Sequence, residues 1–354
     1  MIPLETCSSC KHWGKPYEYL DIGIDVRFCH HNMVCQPEYG SRGNRKMTSN
    51  GVFTCDEGGL TGGLITGPDF GCIHFEKKEN QMIPLGVHFD IPEHVYRADP
   101  AYSYSQVTQM LPTPADYKWW VDHKPPHTMA MASGTLIGRL VLEPERDAFE
   151  SFSIKPEPRA PNGWMEQQHN AGLIPITTAD IESCKLAAES LRNHPIAGPI
   201  LTGEGRSEVT IIFMVGDVRC KARIDRVPDD TDYLVDLKKT RDAAPGRWVD
   251  GKVDAYFQQS KFAYQVKDMG YYIQAGLYLY GWNQACPESP RTRWINVCVE
   301  QDPPCKVMVY ELEQEAIKRG LEDFKRLLKR LRECEDSGVW PGYEEKVEVI
   351  GLPK

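Results

Sequence analysis

Asp225 is followed, after ten residues, by Asp236-Leu237-Lys238, in a stretch whose residue types alternate as they do in β-strands. Successive side chains of a strand point to opposite faces, so Asp236 and Lys238 share a face, and Asp225 belongs to the neighbouring strand. Two carboxylates placed in this way make a hard-oxygen site suited to Mg²⁺ or Mn²⁺. Such a metal can polarise a phosphodiester and lower the pKa of a bound water. A lysine beside it can position or deprotonate that water, or neutralise charge in the transition state. The same spacing also fits an edge hairpin with solvated charges. Glu208 either adds a third carboxylate or is a strand-starting surface residue. Gln274 and Tyr278 stand one helical turn apart and share a face that could address the metal site or simply pack on a sheet.

A second group of chemically capable residues precedes these. Of the twelve cysteines, six fall within the first 72 residues: Cys7, Cys10, Cys29, Cys35, Cys55 and Cys72. In a reducing compartment this clustering indicates metal binding before disulfides. Cys7, Cys10, Cys29 and Cys72 are the preferred ligands of a tetrahedral Zn²⁺, whose binding can fold a module too small to fold alone. Cys35, Cys55, His30 and His74 stay open as further ligands, and an iron–sulfur cluster is the alternative.

These residues need elements to hold them. A helix is expected from Thr178 to about His194, stopped by Pro195. Residues 255–284 have helical spacing. So do residues 311–335, where Leu312, Ala316, Leu321, Phe324, Leu328 and Leu331 form one stripe among basic residues. Strands are expected at Glu208–Val215, Arg219–Val227 and Tyr233–Lys238, the first two joined at Gly216-Asp217. Trp294–Val299 and Lys306–Tyr310 supply two more. The order helix, three strands, helix, two strands, helix is an α/β pattern. A cysteine-rich module over 1–80 and a globular domain over 81–354 are expected, with a charged linker at 76–81.

The 354 residues carry a formal charge of −9, which argues against broad coating of nucleic acid. Basic residues nevertheless cluster at Lys238, Lys239, Arg241, Arg247 and Lys252, and again from Lys318 to Arg332. No apolar run approaches the roughly 18 residues of a membrane span. The first residues lack a signal peptide's basic start and apolar stretch, so a soluble cytoplasmic protein is expected.

Ordered blocks along residues 85–354 resemble the RecE-like exonuclease VIII family, in the RecB-like branch of the PD-(D/E)XK nuclease superfamily. Ile91-Pro-Glu-His-Val-Tyr-Arg-Ala-Asp-Pro100 resembles that family's opening; Ser103, Ser105 and Thr113-Pro-Ala-Asp-Tyr117 follow. Gly134-Thr135 with Leu140-Val-Leu-Glu-Pro144, then His194-Pro195 and Glu208-Val-Thr, lead to the Asp225 and Asp236 strands. Tyr272-Ile-Gln-Ala-Gly-Leu-Tyr278 carries a Gln-x-x-x-Tyr motif, and Trp340-Pro341 resembles the C-terminal stretch. The resemblance implies a restriction-endonuclease-like α/β core with a central mixed sheet flanked by helices. It makes Asp225 and Asp236 metal ligands, with the Leu237 carbonyl in reach, and Lys238 the catalytic lysine. It implies a Mg²⁺-dependent 5′-to-3′ exonuclease on double-stranded DNA ends, working in recombination with a single-strand annealing partner. A homo-oligomer and a phage or prophage setting come with it. One departure stands out: Gly138 occupies the position of a family histidine that contributes to the metal site. His123 and His127 lie nearby at the wrong offset. A catalytically weak DNA-binding or scaffold protein with the same fold is therefore the alternative.

Overall fold

The computed structural model describes residues 82–350, except 124–127, 158, 247, 250–251 and 254–259, together with the backbone of several short strands outside that set. The chain divides into two compact units, Met1–Met82 and Ile83–Lys354. In the first unit, β1 (Trp13–Pro16), β2 (Arg27–Cys29), β3 (Val52–Cys55) and β4 (Gly63–Thr66) form an antiparallel sheet in the order β1-β2-β4-β3. The side chains of Cys7, Cys10, Cys29 and Cys72, and the linker at 76–81, lie outside the described residues.

The second unit begins with β5 (Gly86–His88), α1 (Glu93–Ala98), β6 (Tyr102–Ser103), α2 (Tyr104–Val107) and a 3-10 turn at Thr108–Met110. Then come α3 (Pro114–Asp122), α4 (Met129–Leu142), β7 (Phe152–Ile154), α5 (Trp164–Asn170) and β8 (Ile174–Ile176). Next are α6 (Thr178–Asn193), α7 (Ala197–Thr202), β9 (Gly205–Val215), β10 (Val218–Pro228) and β11 (Tyr233–Thr240). The two-residue strands β12 (Trp248–Val249) and β13 (Lys252–Val253) pair with each other. The chain continues through α8 (Lys261–Asp268), α9 (Tyr271–Ala285), β14 (Arg293–Glu300), β15 (Val307–Glu311) and α10 (Gln314–Ser337).

The central sheet runs β15-β14-β11-β10-β9-β5, with β6 paired to β10. It is mixed, because β11 pairs parallel to β14 whereas β9 and β11 each run antiparallel to β10 between them. The β9–β10 hairpin turns at Gly216-Asp217, with Gly216 at φ +63°, a conformation that glycine adopts without steric cost. Helix α6 begins where the Thr177 side chain accepts the Asp180 amide, and it stops one residue before His194-Pro195, because proline cannot continue the ladder.

Two apolar layers hold the sheet. On one side Ile211, Phe213, Ala222, Ile224 and Trp294 pack with α9 and α10. On the other, Val235, Ile295, Val297 and Val299 pack with α4, α6 and α7. The stretch 255–284 holds two helices rather than one. Gly270, at φ +71°, ends α8 and opens α9 by turning the chain between them. Burial of nearly every α9 residue from Ile273 to Trp282 explains why no single stripe marks it.

Candidate active site

Strands β10 and β11 pair at Arg226 and Val235, which places Asp225 and Asp236 at the next positions along neighbouring strands. Beyond this pair the Asp225 carboxylate, rather than a backbone carbonyl, accepts the Leu237 amide at 2.8 Å. Asp236 is almost fully buried at 2% exposure. Lys238 Nζ donates to Asp236 Oδ1 at 3.0 Å and lies 2.8 Å from Oδ2. Gln274, from the first turn of α9, donates Nε2 to the same Oδ1 at 2.7 Å and accepts from Lys238 Nζ at 3.0 Å. The Lys238 ammonium also sits 4.4 Å above the Tyr271 ring. Asp236, Lys238 and Gln274 thus form a closed triangle of charge-assisted bonds on the α9 side of β11.

Asp225 opens instead into a cavity of about 350 Å³. Glu208, Arg223, Leu237, Gly138 and Tyr278 line it with Asp225. Glu208 falls between the paired rungs Ile224–Val209 and Arg226–Ser207, opposite Asp225, and takes φ +52° there. A non-glycine residue held at positive φ stores strain of the kind that gathers at functional sites. Arg223 donates to the Ile91 carbonyl at 2.7 Å and stacks on Tyr96 at 4.4 Å, tying α1 to the cavity wall. Tyr278 contributes wall rather than joining the triangle, and its ring meets Trp294 edge-on at 5.7 Å. Gly134, Thr135 and Gly138 form the α4 side, and a Cβ at Gly138 would meet nothing within 4 Å. Position 138 therefore faces the cavity. His123 does not line it; its ring stacks on Trp119 at 5.0 Å. His127 lies outside the described residues.

The electrostatics are those of carboxylates crowded away from water. Burial, then Asp236 and Glu208, push the Asp225 pKa well above the carboxylate range. Burial also lifts Glu208 to about 7, with Glu143 and Glu93 adding to it against the opposing pull of Arg223. Burial opposes the charge on Lys238, but Asp236 and Asp225 outweigh it and hold its pKa above the usual lysine value.

A divalent cation fits this set on two observations. Asp236 is buried with its only described counter-charge, Lys238 Nζ, 2.8 Å from Oδ2, and Asp225 is buried beside the carboxylates of Asp236 and Glu208, whose repulsion raises its pKa against the pull of Lys238. Among the described residues no three His, Cys, Asp or Glu side chains converge on one point. Glu208 thus lines the cavity with Asp225 but does not complete a three-carboxylate cluster with Asp225 and Asp236. Asp225, Asp236 and the Leu237 carbonyl are the groups that would hold the cation.

Sequence reasoning missed Tyr96, Arg139, Arg146 and Arg223 in the walls of this cavity. They reach it through register and helix packing, and of the blocks that carry the resemblance only Ile91–Pro100 contains one of them, Tyr96.

The sequence matches the family described as a PDDEXK-like domain of unknown function (DUF3799) over residues 103–353. The chain belongs to this family. The mixed sheet flanked by helices is a PDDEXK-like fold, and β10 and β11 lie within the matched residues. A solved structure from Eubacterium rectale, named as a candidate exonuclease, aligns at a TM-score of 0.53 and 14% identity, over 75% of this chain and 97% of its own. At that identity the likeness shows the fold alone. A second solved structure, SSO0001, aligns at a TM-score of 0.21 and 17% identity over 41% of this chain and 67% of its own, and carries no weight. No curated protein matches the chain. Among the described residues no helix is long and apolar enough to cross a membrane.

Proposed function

We propose that this chain is a metal-dependent nuclease that hydrolyses phosphodiester bonds. The carrying observation is Asp225 and Asp236 on adjacent strands with Lys238 Nζ 2.8 Å from Asp236, inside a PDDEXK-like domain. Within that class the resemblance to RecE-like enzymes supports a DNA exonuclease using Mg²⁺ or Mn²⁺. It also supports 5′-to-3′ action on double-stranded ends, a homo-oligomer and an annealing partner in recombination. The cysteine-rich front supports a structural Zn²⁺.

A bound divalent cation would polarise the phosphodiester and acidify its bound water. The chain's own residues do the rest. Lys238, held against Asp236 and Gln274, is placed as a positive donor to developing negative charge. Gln274 and Lys238 bond each other and both bond Asp236 Oδ1, with the ammonium also 2.8 Å from Oδ2, which locks the three in one geometry. Asp225, anchored by the Leu237 amide, presents its carboxylate to the cavity.

The test is cleavage of end-labelled linear DNA against rising Mg²⁺ or Mn²⁺, with a closed circular control. Wild type should release nucleotides from the linear form only. Asp225→Ala and Asp236→Ala should lose at least roughly a thousandfold in rate, the scale of losing metal-based charge stabilisation, with thermal unfolding still cooperative. No release by wild type, or wild-type rates in both variants, would reject the assignment.

A further inference from the structure

A second cavity, of about 500 Å³, adjoins the first. The two share Glu93, Arg97, Thr135, Arg139 and Arg146 as common wall. The far wall of the second brings His94 and His169, so three arginines and two histidines face Glu93 and Glu150. Arg139 is the buried member, 4% exposed. Both of its hydrogen bonds run from Nη1, to the Ala148 and Glu150 carbonyls, and its Nη2 is 3.8 Å from Glu93. His169 Nε2 is buried in this wall without a hydrogen-bond partner. A ring nitrogen placed so is satisfied by water or by a ligand, and in its protonated tautomer it donates to a phosphate oxygen.

The glutamates do not already fill that role. Arg97 pairs with Glu93, and Arg146 with both Glu150 and Glu143; apart from Glu143, 21% exposed, these side chains are 37% to 69% exposed, and exposed pairs of this kind contribute little, so an incoming phosphate competes with them. A phosphate offers the guanidinium fork two oxygens at once, a stronger and more directional contact.

We propose that the outer cavity seats a non-scissile phosphate of the same strand whose scissile bond lies at Asp225 and Asp236. The inference rests on the nuclease reading and adds how the strand is held: the shared arginines connect the cutting site to a phosphate clamp. Arg97 and His169 are positioning residues here, since neither touches the carboxylates that act on the reacting bond.

The experiment walks a single uncharged methylphosphonate linkage along a defined DNA strand and measures KM and kcat at each position. Wild type should show a non-scissile linkage where neutralisation raises KM about tenfold, one charge-assisted contact's worth, with kcat little changed. In Arg97→Ala and in His169→Ala, KM for the unmodified strand should rise similarly, and the sensitivity at that linkage should shrink to under about twofold. Arg97→Lys, which keeps the charge but not the fork, should fall between, and melting curves check that each variant is folded. Variants that keep the full wild-type profile, or a wild-type walk with no sensitive non-scissile linkage, would overturn the clamp while leaving the nuclease reading intact. Wild type that cuts no unmodified strand in Mg²⁺ or Mn²⁺ would instead remove the nuclease reading, and the clamp with it.

Discussion

Glu208 shows how single side chains set this site's balance between stability and chemistry. Its pKa is raised from 4.5 to about 7, burial being the main cause. The folded state therefore binds a proton that the unfolded state has released between those two pH values. By linkage, stability falls as pH rises across that window and stays reduced above about 7. Glu208→Gln removes the titration. It should be stabilising at pH 8 by roughly 1–3 kcal/mol without divalent ions, and close to neutral near pH 4. Melting temperatures at the two pH values read this directly; an equal effect at both would show that the carboxylate is not held away from water. Asp225 carries a penalty of the same sign, which burial, Asp236 and Glu208 impose on it. The acids are thus uncomfortable in the metal-free protein, the condition expected of groups arranged for a cation rather than for folding.

At the level of elements, the strands that carry the acids were legible because one face of each is apolar and the turn between β9 and β10 has its glycine. The α6 boundaries were legible from Thr177, Asp180 and Pro195. Helix α4 was not read, because its sequence is almost all small or apolar and Gly134 and Gly138 interrupt any stripe. Yet it forms the wall opposite Asp225. The wall residues Arg139, Arg146 and Arg223 were invisible for a related reason: no spacing in sequence announces which helix crosses which strand. Much of the basic cluster of α10 is engaged within the helix itself. Arg319, Arg326, Arg330 and Arg332 pair with acids three or four residues away on the same helix. Two substitutions test the elements. Gly138→His has open space before it and removes a helical glycine, so it should raise stability by a few tenths of a kcal/mol to about 1. An imidazole facing the cavity should also lower the Mn²⁺ concentration for half-maximal cleavage several-fold; an unchanged requirement would place the metal away from α4. Gly320→Ala does the reverse. A Cβ there would strike the Tyr272 carbonyl, where α10 crosses α9, the helix that holds Gln274. Overpacking at this crossing should cost about 1–3 kcal/mol and reduce kcat together with stability. A variant of normal melting temperature and normal kcat would mean that α9 is free to move without disturbing the Asp236–Lys238–Gln274 triangle.

Across the whole molecule, two compact units of different character share one chain, Met1–Met82 and Ile83–Lys354. The larger builds its stability from two apolar layers on a mixed sheet. The smaller is rich in glycine and polar residues and holds six of the twelve cysteines. A segment of that size and composition buries too little apolar surface to offset its chain entropy, so a covalent or metal staple is physically required if it is to be ordered. All six cysteines of the larger unit are free, and five of them are buried. Elemental analysis of purified protein should therefore find about one zinc per chain, held by Cys7, Cys10, Cys29 and Cys72. Chelation at low pH, where thiolates are protonated and release zinc, should abolish whatever protease resistance the first unit has, because metal binding is then its folding energy. The remaining band on a gel should begin near Ile83, where the larger unit starts. A value near two zinc ions would bring in Cys35, Cys55 or the histidines, whereas iron with acid-labile sulfide, or no metal in a protease-resistant unit, would reject zinc as the staple.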